Sequence, residues 1–180
     1  MSKPFQRDLM EKAREKEKEL AVKLNSLFIN SLFKTLNAEP GPAKKCDNVA
    51  LKHGERKVAY LEVEIVGQDR WERLKTRYPT VRWPIAKKET CPEKEREDGI
   101  PVFMASVPED LSDIAIIEAK KWIEKGREEK SLFVRAGGQF FRYRKGGEEK
   151  FWAIDKNELF WGFEGLEEYL LSVLKGRNLV

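Results

Sequence analysis

Leu20, Leu24, Leu27, Phe28, Leu32 and Leu36 recur at helical spacing inside a stretch, residues 5–37, that contains neither Gly nor Pro. That periodicity predicts a long N-terminal helix. Its first half, where Glu and Lys alternate over 11–19, reads as a solvated extension supported by side-chain ion pairs, and its second half as a packing face. The run AEPGPAKK, 38–45, ends the helix and reads as a linker. Next come NVALKH, a turn at Gly54 and Glu55, and RKVAYLEVEIV, a β-hairpin over 47–66. In its second strand Ala59, Leu61, Val63 and Ile65 share one face, and Val58, Tyr60, Glu62 and Glu64 share the other. One face is core and the other is half polar.

Beyond Gly67, DRWERLKTRYP predicts a short helix and TVRWPIAKK a strand or extended segment, while the charged run CPEKEREDG reads as a loop. IPVFMASV is a continuous apolar run and predicts a buried strand. In PEDLSDIAIIEAKKWIEKG, Ile114, Ile116 and Ile117 favour a strand followed by a helical turn from Lys120 over one continuous helix. SLFVRA, a Gly137-Gly138 turn and QFFRYRK read as a hairpin, with KFWAID as a third strand. GLEEYLLSVLK is an amphipathic helix with Leu166, Tyr169, Leu170, Val173 and Leu174 on its apolar stripe. The expected organisation is an N-terminal helix over 1–40 and a mixed α/β domain over 41–180. That domain holds the core hairpin, a meander over 131–156 and a closing helix over 165–175. The fold class is α/β (α+β), with a single mixed β-sheet flanked by helices.

Composition changes this picture little. Of 180 residues, 41% are hydrophobic and 37% charged, enough for a core beneath a densely ionic surface. No uncharged apolar run approaches the roughly 20 residues that a bilayer requires. The first residues, MSKPFQRDLMEKAREKEKE, carry no apolar signal core. A cytoplasmic protein without a membrane partner is expected. Abundant Lys and Glu beside three glutamines lean toward a thermophilic source. Cys46 and Cys91 form no CxxC pair and read as free thiols, with a disulfide the alternative in a hyperthermophile. The single histidine, His53, argues against a histidine-rich zinc site or a serine-histidine triad.

Candidate chemistry centres on the hairpin. With Gly54 and Glu55 as a two-residue turn, His53 opposes Arg56, every opposed pair sums to 109, and Asp47 falls opposite Glu62. Glu64 shares that face, so three carboxylates are expected within reach of one or two hard cations. Without a metal, the same alternation describes the solvated face of a half-buried strand, with Asp47 capping a turn. Charge is uneven along the chain. Residues 68–90 hold seven basic side chains (Arg70, Arg73, Lys75, Arg77, Arg82, Lys87, Lys88) against three acids, a local +4, although the whole chain is only +4. Residues 130–150 hold six against two. Arg142, Tyr143, Arg144 and Lys145, beside Phe140 and Phe141, offer charges for phosphates and rings for bases.

An acid on one strand, a short turn and Glu-x-Glu on the next strand, followed by a helix, resemble the catalytic core of the PD-(D/E)XK nuclease superfamily, the restriction-endonuclease-like fold. The resemblance implies that Asp47 is the first acid and Glu62 the second, holding Mg²⁺ (or Mn²⁺) with Glu64, in an endonuclease hydrolysing DNA phosphodiesters. In that family a lysine two residues after the second acid helps to activate water. Here Glu64 occupies that position and no proline precedes Asp47. Either a lysine comes from elsewhere, with Lys87 or Lys88 the candidates and Arg82 beside them on a phosphate, or the site is inactive. The alternative function is a non-enzymatic nucleic-acid-binding or assembly protein acting through the basic hairpin or the N-terminal helix. The spare leucine stripe also makes a homodimer through that helix an expectation.

Overall fold

A computed structural model describes residues 3–132 and 148–180. Helix α1 (Lys3–Asn30) buries Leu20, Ala21, Leu24 and Phe28, the second-half stripe expected from the periodicity. It stops well short of residue 37. The carboxylate of Glu167 accepts the backbone amides of Thr35 and Leu36 and turns the chain into strand β1 (Leu36–Pro40), so Leu36 packs from a strand and Leu32 is 98% exposed. Part of the expected linker is therefore sheet. Its Pro40 stands at the end of an edge strand, where a missing N–H costs little. The leucines expected to be spare at the helix face are largely spent on the protein's own core.

Strands β1, β2 (Val49–His53), β3 (Arg56–Val66), β5 (Val102–Pro108), β6 (Ala115–Glu118) and β9 (Phe160–Trp161) form a mixed six-stranded sheet in the order β1-β2-β3-β5-β6-β9. Within it β3 and β5 pair in parallel and the other pairs are antiparallel. Helix α2 (Gln68–Thr76), strand β4 (Thr80–Pro84) and helix α3 (Lys87–Asp98) connect β3 to β5. A second sheet, β4-β8-β7, is built from β4, β7 (Arg127–Leu132) and β8 (Glu148–Asp155). Helices α4 (Ala119–Lys125) and α5 (Leu166–Gly176) complete the fold. The mixed α/β class holds, and strands expected around one sheet divide between two.

The main sheet is covered on both faces, which is why β5 reads as an unbroken apolar run. Phe103, Ala105, Val107, Ile114 and Ile116 pack with α1 and α5. Val102, Met104, Ala115 and Ile117 pack on the opposite side with Trp71, Leu74, Trp83, Cys91 and Trp122. The strand reading around Ile114, Ile116 and Ile117, followed by a helical turn from Lys120, agrees with β6 and α4, although Ile114 itself lies just before the strand.

Two expectations are corrected. The charged run 91–99 is not a loop but the greater part of α3, ended by Gly99 in the left-handed conformation, φ 70°. Alternating charge misled the reading because this helix buries Cys91 and little else. The cysteines are not free: Cys46 and Cys91 are joined in a disulfide across 45 positions. The 133–147 part of the expected meander, with Arg142, Tyr143, Arg144 and Lys145, lies outside the described residues, and KFWAID falls within β8. Among the described residues no helix is long and apolar enough to cross a membrane.

Candidate active site

The hairpin has the expected Gly54-Glu55 turn, with His53 opposite Arg56 and Lys52 opposite Lys57. Past Lys52 the register shifts: Leu51 opposes Ala59, Ala50 opposes Tyr60 and Val49 opposes Leu61. Val58 is the extra residue of a β-bulge. Both Val58 and Ala59 consequently enter the core beneath α1, correcting the expected placement of Val58 beside the acids. The bulge also removes Asp47 from its expected place opposite Glu62. Continued one step, the shifted register brings Asn48 there instead, and Asn48 Oδ1 accepts the amide of Val63 at 2.8 Å.

Tyr60, Glu62 and Glu64 remain on one face of β3, turned toward α2 and α3. Glu62 lies beside Met104 and Glu64 beside Ser106 across the parallel β3–β5 pairing. Glu62 is not part of a solvated fringe, its side chain being 12% exposed, while that of Glu64 is 27% exposed. Each meets a cation from a different element. Lys87 Nζ, from the first turn of α3, is 2.5 Å from Glu62 Oε1. Arg70 of α2 is 3.5 Å from Glu64 Oε1, and Ser106 Oγ donates to Oε2 at 3.4 Å. Burial pushes the Glu62 carboxyl above its ordinary range, and Lys87 offsets only part of the rise. Burial raises Glu64 as well, against the pull of Arg70, Ser106 and Arg82.

Asp47 lies in the loop before β2, is 1% exposed, and its charge is also felt at Glu62. Its Oδ1 accepts the amides of Lys44 and Lys45, and its Oδ2 meets Lys94 of α3 at 3.2 Å. Burial works to raise this carboxyl, yet those amides and Lys94 together hold it below the ordinary range. Lys94 also pairs with Asp98 at 3.0 Å, and Asp98 accepts the Tyr60 hydroxyl at 2.7 Å. Of the candidate lysines, Lys87 reaches an acid. Lys88 instead places Nζ 3.2 Å over the Trp152 ring. Arg82 stacks on Phe151 at 4.5 Å while contributing to the field at Glu64.

One acid escaped the sequence reading. Glu17 of α1, 7% exposed, receives Arg14 at 2.8 Å and the Asn48 amide at 2.8 Å, and its charge is felt at Glu62. The signal was present: Phe28, Leu24 and Ala21 extrapolate back along the helix to position 17. Its place in a run of alternating Glu and Lys obscured it.

The donor set bears on a divalent ion as follows. Among the described residues no three His, Cys, Asp or Glu side chains are gathered so as to hold a metal ion. Asp47 already accepts two amides and meets a lysine, so a metal ion there would have to displace Lys94. Glu62 and Glu64, alternate residues on one strand face, fit the narrower requirement of Mg²⁺, which takes one or two carboxylates and fills its shell with waters and phosphate oxygens.

No protein-family model matches the chain, and no curated protein matches it. Among solved structures it is similar to Hjc, a Holliday junction resolvase from the archaeal hyperthermophile Archaeoglobus fulgidus. The identity is 11%, over 77% of this chain and 87% of that one, with a TM-score of 0.41.

Proposed function

We propose that the protein is a nuclease hydrolysing DNA phosphodiesters, with Glu62 at its centre, Glu64 beside it and Lys87 as the lysine of the site. The observation that carries this reading is the Lys87–Glu62 contact. An acid sunk in a central strand is met by a lysine that arrives from the next helix but one, while the position two residues along the strand is Glu64. A buried, cation-paired acid whose pKa is raised by desolvation marks a candidate functional site.

Glu62 and Glu64 would hold Mg²⁺ or Mn²⁺, which when bound polarises a scissile phosphate and lowers the pKa of an attacking water. The chain's own residues supply the rest. Lys87, once released from Glu62 Oε1, stabilises charge developing on the phosphate. Arg70 and Arg82 give the surroundings of Glu64 the positive field that a phosphate requires. Arg142, Tyr143, Arg144 and Lys145 are proposed to grip DNA away from the cut.

A second reading is favoured by a different observation. Glu62, Glu64 and Asp47 each already have an internal cation, as expected of a protein that binds DNA without cutting it. Calorimetric titration of Mn²⁺ into wild type and Glu62→Gln, beside cleavage of plasmid and four-way-junction DNA, separates the two. The nuclease reading expects metal binding and cleavage in the wild type, both lost in Glu62→Gln. DNA binding that is indifferent to metal and to Glu62→Gln, with no cleavage, establishes the second.

A further inference from the structure

Lys87, Cys91, Lys94 and Asp98 recur every three or four residues and so lie along one face of α3. Each is tied to the hairpin or to the loop leading into it. Lys87 meets Glu62, Cys91 is bonded to Cys46, Lys94 meets Asp47 and Asp98 takes the Tyr60 hydroxyl. On a neighbouring flank Lys45 reaches Glu93 at 2.7 Å and Glu97 at 2.9 Å.

The end of α3 that bears Lys87 is poorly held by the helix itself. Ala86 at the N-cap offers no side-chain hydrogen bond. Two lysines in the first turn face the positive end of the helix dipole, against one acid, Glu89. Pro92 lacks the N–H that would bond back to the carbonyl of Lys88. Contacts outside the helix therefore fix the height and rotation of its first turn: Ile85 N–H donates to the Lys150 carbonyl, Lys88 lies over Trp152, and Cys91 lies one turn beyond Lys87.

We propose that the Cys46–Cys91 disulfide and the adjoining Asp47–Lys94 pair form a two-point staple that positions Lys87 against Glu62. Cys46, Asp47, Cys91 and Lys94 are then positioning residues, and Asp47 serves the site from behind instead of binding a ligand. Both cysteines are at most 2% exposed. Thiol–disulfide exchange requires access, so the bond acts as a permanent fixture and not as a redox switch. The catalytic part of this inference rests on the nuclease reading, whereas the placement of Lys87 does not.

The test uses the full chain as wild type, as Cys46→Ser/Cys91→Ser and as Asp47→Asn, all well below their melting temperatures. Amine acylation at Lys87, read by mass spectrometry against Lys23 of α1, reports placement; kcat and KM on cleaved DNA report catalysis. The staple expects Lys87 labelling to rise at least fivefold in the double serine variant and less in Asp47→Asn. It also expects kcat to fall tenfold or more with KM within twofold, and no further fall when the serines are added to Lys87→Ala. Unchanged Lys87 labelling in both variants, with only a lowered melting temperature, overturns the proposal by reducing the disulfide to a fold staple. If wild type cuts no DNA, the nuclease reading fails while the labelling ratio still decides the placement of Lys87.

Discussion

Glu62 occupies a position where water solvates a carboxylate poorly, so its proton is held more tightly in the folded chain than in the unfolded one. The stability attached to that proton is complete below an unfolded value of about 4.5 and is lost as pH rises through the higher folded value. Urea unfolding from pH 4 to 8 should show wild type losing more stability over the rise than Glu62→Gln, and parallel curves would contradict the burial. Asp47 has the opposite sign. Its folded value lies below 3.8, so its contribution is present above that pH and disappears on acidification. Asp47→Asn should be destabilised by about 2 kcal/mol at pH 7, the scale of removing a charged hydrogen-bonded partner, with the gap closing toward pH 2. An equal deficit at both pH values would mean that the loss is one of packing. At this scale the sequence revealed the two glutamates and the candidate Lys87. It did not reveal Asp47's partners, because nothing in its spacing shows that the amides of Lys44 and Lys45 fold back upon it.

Among the elements, α3 departs furthest from its sequence signal. Its stripe consists of a lysine, a cysteine, a lysine and an aspartate, so hydrophobic periodicity is silent, and what holds it is a covalent bond and ion pairs. Closing a loop of 45 positions is worth about 4 kcal/mol in the chain-entropy picture. Cys46→Ser/Cys91→Ser should therefore unfold at markedly lower denaturant, by up to that amount, and an unchanged midpoint would show that the bond does not form in solution. Gly41 provides a second check on the same region. A Cβ there would collide with the Asp47 carbonyl, so Gly41→Ala must displace the Asp47 loop. A loss of about 1 to 3 kcal/mol is expected from such overpacking, read in the same unfolding experiment. The hairpin was legible because alternation and a two-residue turn specify it. Its register was not, since the bulge at Val58 arises from packing both Val58 and Ala59 under α1.

For the whole molecule, the layered α/β plan followed from the order of apolar runs. The partition into two sheets did not, because β4 leaves the main sheet to pair with β8, a partner some 70 positions away along the chain. Basic side chains of α2, β4 and α3 surround the Glu62–Glu64 face. If DNA is gripped there, the logarithm of the binding constant should fall linearly with the logarithm of salt. Arg82→Ala should reduce that slope by about 0.9, the value for one lost phosphate contact, and an unchanged slope would move the DNA elsewhere. Whether Lys87 and Glu62 form a hydrolytic centre is decided by the single-turnover cleavage rate of plasmid and four-way-junction DNA in Mg²⁺ or Mn²⁺, wild type against Lys87→Met, with DNA affinity measured alongside. With a hydrolytic centre the rate falls about 100-fold or more while affinity changes little. Cleavage that persists undiminished in Lys87→Met, or a wild type that binds but never cuts, would contradict it.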